Sequence, residues 1–171
     1  MSARLMTVLA SVAICGGLAS ATAHAAAPAA SPVSVLATCA NQGTPVYGDS
    51  ATSYTPDCGT GYRVKAYTKR LRWDGFSGGS PVKSARMQSY VRFESNNGNG
   101  RDARNTRVTC TDNYGGGESD SEGKATKTTV TYSTPGIPPG AAVTVTCTHE
   151  ATYNGITYST STIQTMYAPI P

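Results

Sequence analysis

The segment from Ala142 to Tyr167 reads AVTVTCTHEATYNGITYSTSTIQTMY, and the dipeptide Asn154-Gly155 lies at its centre. On both sides of this dipeptide, Thr and Ser alternate with other residues at a period of two, which is typical of a half-buried β-strand. Asn-Gly is the favoured pair for a type I′ turn, which joins two antiparallel strands. The segment therefore predicts a β-hairpin with strands at Ala142–Tyr153 and Ile156–Tyr167, in an all-β chain.

From Gly61 onward, runs rich in Thr, Val and Tyr are separated by connectors rich in Gly, Asn, Asp and Pro, and no useful helical period occurs. The other predicted strands are Tyr62–Trp73, Val82–Glu94, Arg107–Asp112 and Lys124–Ser133. Apolar parity changes within the first of them, which indicates a β-bulge near residues 68–70. Six or seven antiparallel strands at this spacing predict a β-sandwich of roughly immunoglobulin-like architecture.

The N-terminus has the pattern of a secretory signal peptide. Arg4 supplies a positive n-region, Leu5 to Ala19 form an apolar run, and Ala23-His24-Ala25 is a small-x-small cleavage site. The run is shorter than the roughly 18 to 20 residues that span a membrane, so we expect no transmembrane anchor in the mature chain. We predict a signal peptide over residues 1–25, a flexible leader over 26–37 and one domain over 38–171. Cleavage near Ala25, an alanine-rich signal and few lysines favour a secreted, extracellular bacterial protein.

Four cysteines remain after removal of the predicted signal peptide: Cys39, Cys58, Cys110 and Cys147. An even number in an exported chain indicates two disulfides, with three pairings open to the sequence alone. Cys110 shares a strand face with Val108, and Cys147 shares one with Val145, so both thiols should point into one core. We therefore favour Cys110–Cys147 together with Cys39–Cys58. Without any Cys-x-x-Cys pair, a zinc site is disfavoured, and we expect no metal and no cofactor.

The stretch Gly75-Phe76-Ser77-Gly78-Gly79 fits the Gly-x-Ser-x-Gly pattern of a nucleophile elbow. That elbow is followed by a helix, whereas a further strand is predicted here. The mature chain has one histidine, His149, which shares the inward strand side of Cys147. We interpret the stretch as a wide hairpin loop with Phe76 exposed at its tip, and we nominate no catalytic residue.

Charge is divided unevenly along the chain. Residues 61–107 contain eleven basic residues and three acids, a net charge of +8, whereas the rest of the mature chain has two lysines and seven acids, or −5. The first two predicted strands form a hairpin, so Arg63 and Lys65 should share an outer face with Arg86 and Arg92. Such a face attracts polyanions, including acidic cell-wall polymers and sulfated glycans. No aromatic-interleaved nucleic-acid motif is evident, so no specific nucleic-acid recognition is expected.

The acidic stretch Glu118-x-Asp120-x-Glu122-Gly123 resembles the first half of a calcium loop. A complete loop has a glutamate six residues after that glycine, where this chain has Thr129. The preceding run of three glycines favours a flexible acidic loop, able to pair with the basic face within one molecule or between molecules.

These observations predict a secreted, disulfide-stabilised, non-enzymatic binding protein. Its predicted contact residues are Arg63, Lys65, Phe76, Arg86 and Arg92. The expected partner is a polyanionic surface polymer or another secreted protein, including an enzyme that it inhibits. Two alternatives stay open: a small extracellular hydrolase with an unidentified site, and an envelope-associated structural protein that self-assembles. A solvated basic surface without a ligand is the simplest alternative for the charge itself.

Overall fold

The computed structural model describes residues 37–75 and 84–170. Within these ranges the chain forms ten strands and no helix, so no helix there is long and apolar enough to cross a membrane. The strands are β1 (Thr38–Asn41), β2 (Pro45–Tyr47), β3 (Ser50–Tyr54), β4 (Tyr62–Asp74), β5 (Ser84–Ser95), β6 (Ala103–Asp112), β7 (Gly117–Ala125), β8 (Lys127–Pro135), β9 (Ala142–Tyr153) and β10 (Ile156–Tyr167). The predicted signal peptide, the leader up to residue 36, and the hairpin tip with Phe76 and Ser77 lie outside the described residues.

The strands form two sheets. Sheet I has the order β3-β4-β5-β8, and sheet II has the order β1-β10-β9-β6-β7, with β2 also pairing with β10. All pairings are antiparallel except those of β1 and β2 with β10. The chain passes from one sheet to the other after β2, β5, β7 and β8, so both sheets are built from distant parts of the sequence.

The predicted C-terminal hairpin is confirmed, with the predicted bounds for β9 and β10. Tyr153 lies opposite Ile156, and the two turn residues have positive φ values, 49° at Asn154 and 77° at Gly155. Both positions of a type I′ turn require positive φ, which explains why Asn-Gly stands here.

The inner faces of the two sheets share one hydrophobic core. Val64 and Phe93 contribute from sheet I, and Val145 and Tyr158 contribute from sheet II. The rings of Phe93 and Tyr158 meet across the core with their centroids 5.2 Å apart. Alternation along the strands thus buries one side of each sheet and leaves the other side outside.

Both predicted disulfides form, Cys39–Cys58 and Cys110–Cys147. Cys110 and Cys147 lie directly opposite each other on β6 and β9, as their shared inward parity predicted. The bonds close separations of 19 and 37 residues, which on the chain-entropy model stabilises the fold by about 3 to 4 kcal/mol each. The first disulfide also fixes the short β1 strand to the turn before β4.

The prediction for the acidic segment was wrong. The acidic segment expected to be a loop is strand β7, because Asp112 organises a tight turn in which its Oδ1 accepts hydrogen bonds from the Tyr114 and Gly116 amides at 2.8 and 2.9 Å. The glycine run therefore supplies this turn and the strand start. The predicted bulge in β4 is present: the pairing with β5 shifts between Arg70 and Arg72, which places it at Leu71, one residue beyond residues 68–70.

Candidate functional site

The outward side chains of sheet I form a surface that we call the basic face. Lys65 of β4 lies opposite Arg92 of β5, which in turn lies opposite Lys127 of β8. Neighbouring strands are about 4.8 Å apart, closer than the Debye length of about 8 Å at physiological salt. Among the described residues this face carries two carboxylates, Glu94 and Asp74. Its cations are Arg63, Lys65, Lys69, Arg72, Arg86, Arg92 and Lys127.

Three tyrosines lie among these cations. Tyr67 and Tyr90 are cross-strand partners with ring centroids 5.2 Å apart. The Lys127 ammonium lies 4.2 Å from the Tyr90 ring centre, and the Arg63 guanidinium lies 4.3 Å from that of Tyr54. Cations at such distances are attracted to the ring face. The tyrosines therefore hold cations in place on the basic face, which lowers the entropy cost of binding an anion.

A buried carboxylate anchors the two arginines at one end of the face. Glu94 is 3% exposed although it points to the outer side, because Arg63 and Arg92 cover it. Arg63 donates to Glu94 Oε1 from Nε and Nη2 at 3.3 and 3.1 Å, and Arg92 Nε lies 3.7 Å from Oε2. Arg92 also donates to the Gly98 carbonyl. These arginines thus support the fold as well as adding charge to the face.

Most of the remaining cations of the face form no ion pair with a described residue. Arg72 pairs with Asp74 at 2.7 Å. Lys65, Lys69, Arg86 and Lys127 form no ion pair with any residue in the described ranges. Arg86 also lies directly opposite Arg72, and like charges in opposing positions destabilise a sheet. An anion bound on this surface would relieve that repulsion.

The predicted contact residues Arg63, Lys65, Arg86 and Arg92 all lie on this one face. Arg86 and Arg92 are six residues apart on β5, which at about 3.4 Å per residue places them about 20 Å apart. The face is therefore long enough for a polymer segment. The fifth predicted contact, Phe76, lies outside the described residues.

Sequence reasoning missed the tyrosines and Lys127. Every second position of β4 carries a cation or a tyrosine, at Lys65, Tyr67 and Lys69, and β5 repeats this pattern at Tyr90 and Arg92. This period of two is visible in the sequence and could have indicated the tyrosines. Lys127 lies far from the basic segment in sequence and joins the face only because β8 pairs with β5.

His149 lies in the core, as its parity predicted, and is fully buried. Its Nε2 is 2.8 Å from Ser89 Oγ, which is hydrogen-bonded to Thr68, and Thr68 in turn bonds Thr162 at 2.6 Å. Burial lowers the pKa of His149 to about 4, and nearby carbonyls of Thr160 and Cys147 oppose this only in part. A substrate cannot reach this buried ring. His149 is instead part of a chain of hydrogen bonds that links the two sheets.

The acidic residues Glu118, Asp120 and Glu122 lie on one side of β7, the free edge of sheet II. Their partners on β6 point into the core, yet all three acids are exposed because β7 is the outermost strand. In the described ranges, no group of three His, Cys, Asp or Glu residues has the geometry to hold a metal ion.

The chain matches no protein-family model, no curated protein and no solved structure. The function of this chain is therefore inferred from its geometry and charge alone.

Proposed function

We propose that this protein binds a polyanionic polymer through the basic face of sheet I, acting as a secreted binding protein rather than an enzyme. One observation carries the proposal: three adjacent strands place Lys65, Arg92 and Lys127 in a single row, on a face with seven cations and two carboxylates. The two disulfides are compatible with an extracellular location.

We also propose that the fold is an immunoglobulin-like β-sandwich. Immunoglobulin variable-type domains pair strands A, B and E in one sheet and G, F, C and C′ in the other. Strands β4-β5-β8 match the first order, and β10-β9-β6-β7 match the second, which supports the proposal. The disulfide arrangement differs, since antibody domains join B to F between the sheets, whereas Cys110 and Cys147 join neighbouring strands of one sheet.

The ligand that fits this face carries its charge on a chain of anionic groups. Cations already lie over the rings of Tyr54 and Tyr90, and the Tyr67 and Tyr90 rings are tilted by 37°. The rings therefore do not present a flat open surface for stacking bases, as nucleic-acid readers that use aromatic platforms do. Recognition through the charged groups favours an acidic or sulfated polysaccharide of a cell surface.

The test variant should remove charge without disturbing the fold. Arg63 and Arg92 are unsuitable because their loss leaves Glu94 as an uncompensated buried carboxylate. We therefore choose four cations without an ion pair in the described ranges and change each to Gln: Lys65, Lys69, Arg86 and Lys127. The matched control removes the same charge from exposed cations away from this face: Arg101, Arg104, Arg107 and Lys124.

The measurement is the affinity of the mature protein, starting at Ala26, for fluorescently labelled heparin as a sulfated-glycan probe. A cation near an anionic surface contributes roughly 1 kcal/mol, and 1.4 kcal/mol is tenfold in affinity. We expect the basic-face variant to bind about 100- to 1000-fold more weakly and the control variant to bind within a few-fold of wild type. Equal affinity of the two variants would show that net charge, rather than this face, governs binding.

Duplex DNA provides a second probe with regularly spaced phosphates. The slope of log affinity against log salt should fall by about 0.9 for each cation that contacted a phosphate. An unchanged slope in the basic-face variant would mean that these four residues do not contact the polymer.

A further inference from the structure

Strand β7 is an acidic edge strand without a partner on its outer side. Every residue from Gly117 to Lys124 is exposed. Glu118, Asp120 and Glu122 recur every second residue, so they lie about 7 Å apart along one side of the strand. None of them forms an ion pair with a described residue, whereas the neighbouring Lys124 pairs with Asp102 at 3.8 Å.

The basic face has the complementary charge at the same repeat. Lys65 and Lys69, which form no ion pair with a described residue, lie four residues apart on one side of β4, the same separation as Glu118 and Glu122 on β7. The pairing of Lys65 with Arg92 and Lys127 extends this charge across three strands. Glu118, Asp120 and Glu122 form what we call the acidic row. This row and the cations without partners therefore have opposite charge and matching spacing. They do not meet within one molecule among the described residues.

We propose that a second copy of this chain docks its acidic β7 strand on the basic face, so that copies associate head to tail. The two surfaces differ, so the contact is heterologous, and each bound copy leaves one acidic row and one basic face open for the next. The inference uses the same basic face as the proposed function and names a partner for it.

The charges on β7 also decide how the second copy approaches. An exposed edge strand invites strand-by-strand pairing, and charged side chains that point inward are a common way to prevent it. Glu118, Asp120 and Glu122 point to the inner side of sheet II, opposite Cys110, Val108 and Thr106. Pairing two such edges would bring like charges together, whereas docking on the basic face joins opposite charges.

Competition follows from this arrangement. A polyanion and the β7 strand of a second copy need the same cations, so a bound polymer should separate the copies. The protein would then be assembled where no polymer is present and dispersed along a polymer where one is present.

The test uses two variants of the mature protein that are each defective in a different surface. The acid-row variant carries Glu118→Gln, Asp120→Asn and Glu122→Gln, and the basic-face variant is the one described above. All three acidic positions are exposed and make no ion pair in the described ranges, so the fold should persist. A control with the same change in charge removes three carboxylates elsewhere, with Asp49→Asn, Asp102→Asn and Glu150→Gln; of these, Asp49 and Asp102 form ion pairs with Arg70 and Lys124.

Sedimentation velocity is measured over a range of protein concentrations at about 10 mM salt, where the Debye length is about 30 Å, and at about 1 M, where it is about 3 Å. We expect the wild type and the control to form species larger than a monomer at low salt and monomers at high salt. Each variant alone should be monomeric. An equimolar mixture of the two should form a one-to-one dimer, because one variant keeps the basic face and the other keeps the acidic row.

A monomeric wild type at low salt at every concentration, or a mixture that stays monomeric, would overturn the inference. So would an acid-row variant that associates as the wild type does. Heparin binding separates this from the proposed function: the acid-row variant should keep its affinity for heparin even if no assembly is found, whereas the basic-face variant should lose it.

Discussion

Protonation of His149 should make this protein lose stability in acid. The ring is fully buried, and burial lowers its pKa from 6.5 to about 4. Above pH 6.5 the imidazole is neutral in both the folded and the unfolded chain, so it adds no pH dependence. As the pH falls below 6.5, the unfolded chain binds a proton that the folded chain does not, and the free energy of unfolding decreases.

The size of the effect follows from the difference between the two pKa values. Each unit corresponds to about 1.36 kcal/mol, so the loss between pH 6.5 and pH 4 amounts to about 3 kcal/mol. This is a large fraction of the roughly 5 to 15 kcal/mol that stabilises a typical domain. Hydrogen bonds hold the pKa of Asp49 and of Asp57 below the usual 3.8. The stability that these two carboxylates add to the folded chain is therefore lost mainly below pH 4.

Urea unfolding of residues 26–171, followed by the fluorescence of Trp73, the one tryptophan of the chain, measures this free energy at half-unit steps of pH. The comparison variant is His149→Gln, which keeps a polar group opposite Ser89 but does not titrate. We expect the wild type to lose about 3 kcal/mol across the window and the variant to show a nearly flat profile there. An equal acid loss in both proteins would refute the role assigned to His149.

Three further predictions concern the fold and the site. Changing both Cys110 and Cys147 to Ala should lower the free energy of unfolding by about 4 kcal/mol, because the unfolded chain regains the entropy of a 37-residue loop. A loss below about 1 kcal/mol in urea unfolding would contradict this. Glu94→Gln should cost about 1 to 2 kcal/mol, since the hydrogen bonds from Arg63 and the ion pair with Arg92 weaken, and it should tighten heparin binding by freeing two guanidinium groups; unchanged affinity would count against their place in the site. Gly155→Ala should destabilise the protein by about 1 to 2 kcal/mol, because an alanine is strained at a φ of 77°, and a neutral result in thermal unfolding would argue against the type I′ turn.

Local sequence signals predicted the parts of this fold that depend on near neighbours. Asn154-Gly155 fixes the last hairpin because the turn chemistry and the alternation on both sides agree. The pairing of Cys110 with Cys147 followed from strand parity, since each thiol shares a side with a buried valine. In both cases a period of two carried the information.

The parts that were missed depend on pairing between distant segments. Strand β7 is polar on both sides, so it shows no apolar alternation, and it becomes a strand because β6 and the Asp112 turn present it with a partner. The basic face was predicted only in part for the same reason. Its alignment of Tyr67 with Tyr90, and of Arg92 with Lys127, depends on the register between strands, which single-strand patterns do not contain.

The position of the binding site is tested by the heparin affinity of residues 26–171 in two variants. One has Lys65, Lys69, Arg86 and Lys127 changed to Gln, and the control has Arg101, Arg104, Arg107 and Lys124 changed to Gln. Both variants lose the same charge, so only the position of the cations differs between them. We expect a loss of about 100-fold or more in the first variant and near-native affinity in the second. Equal affinities in the two variants, or native affinity in the first, would contradict the assignment of the basic face as the binding site.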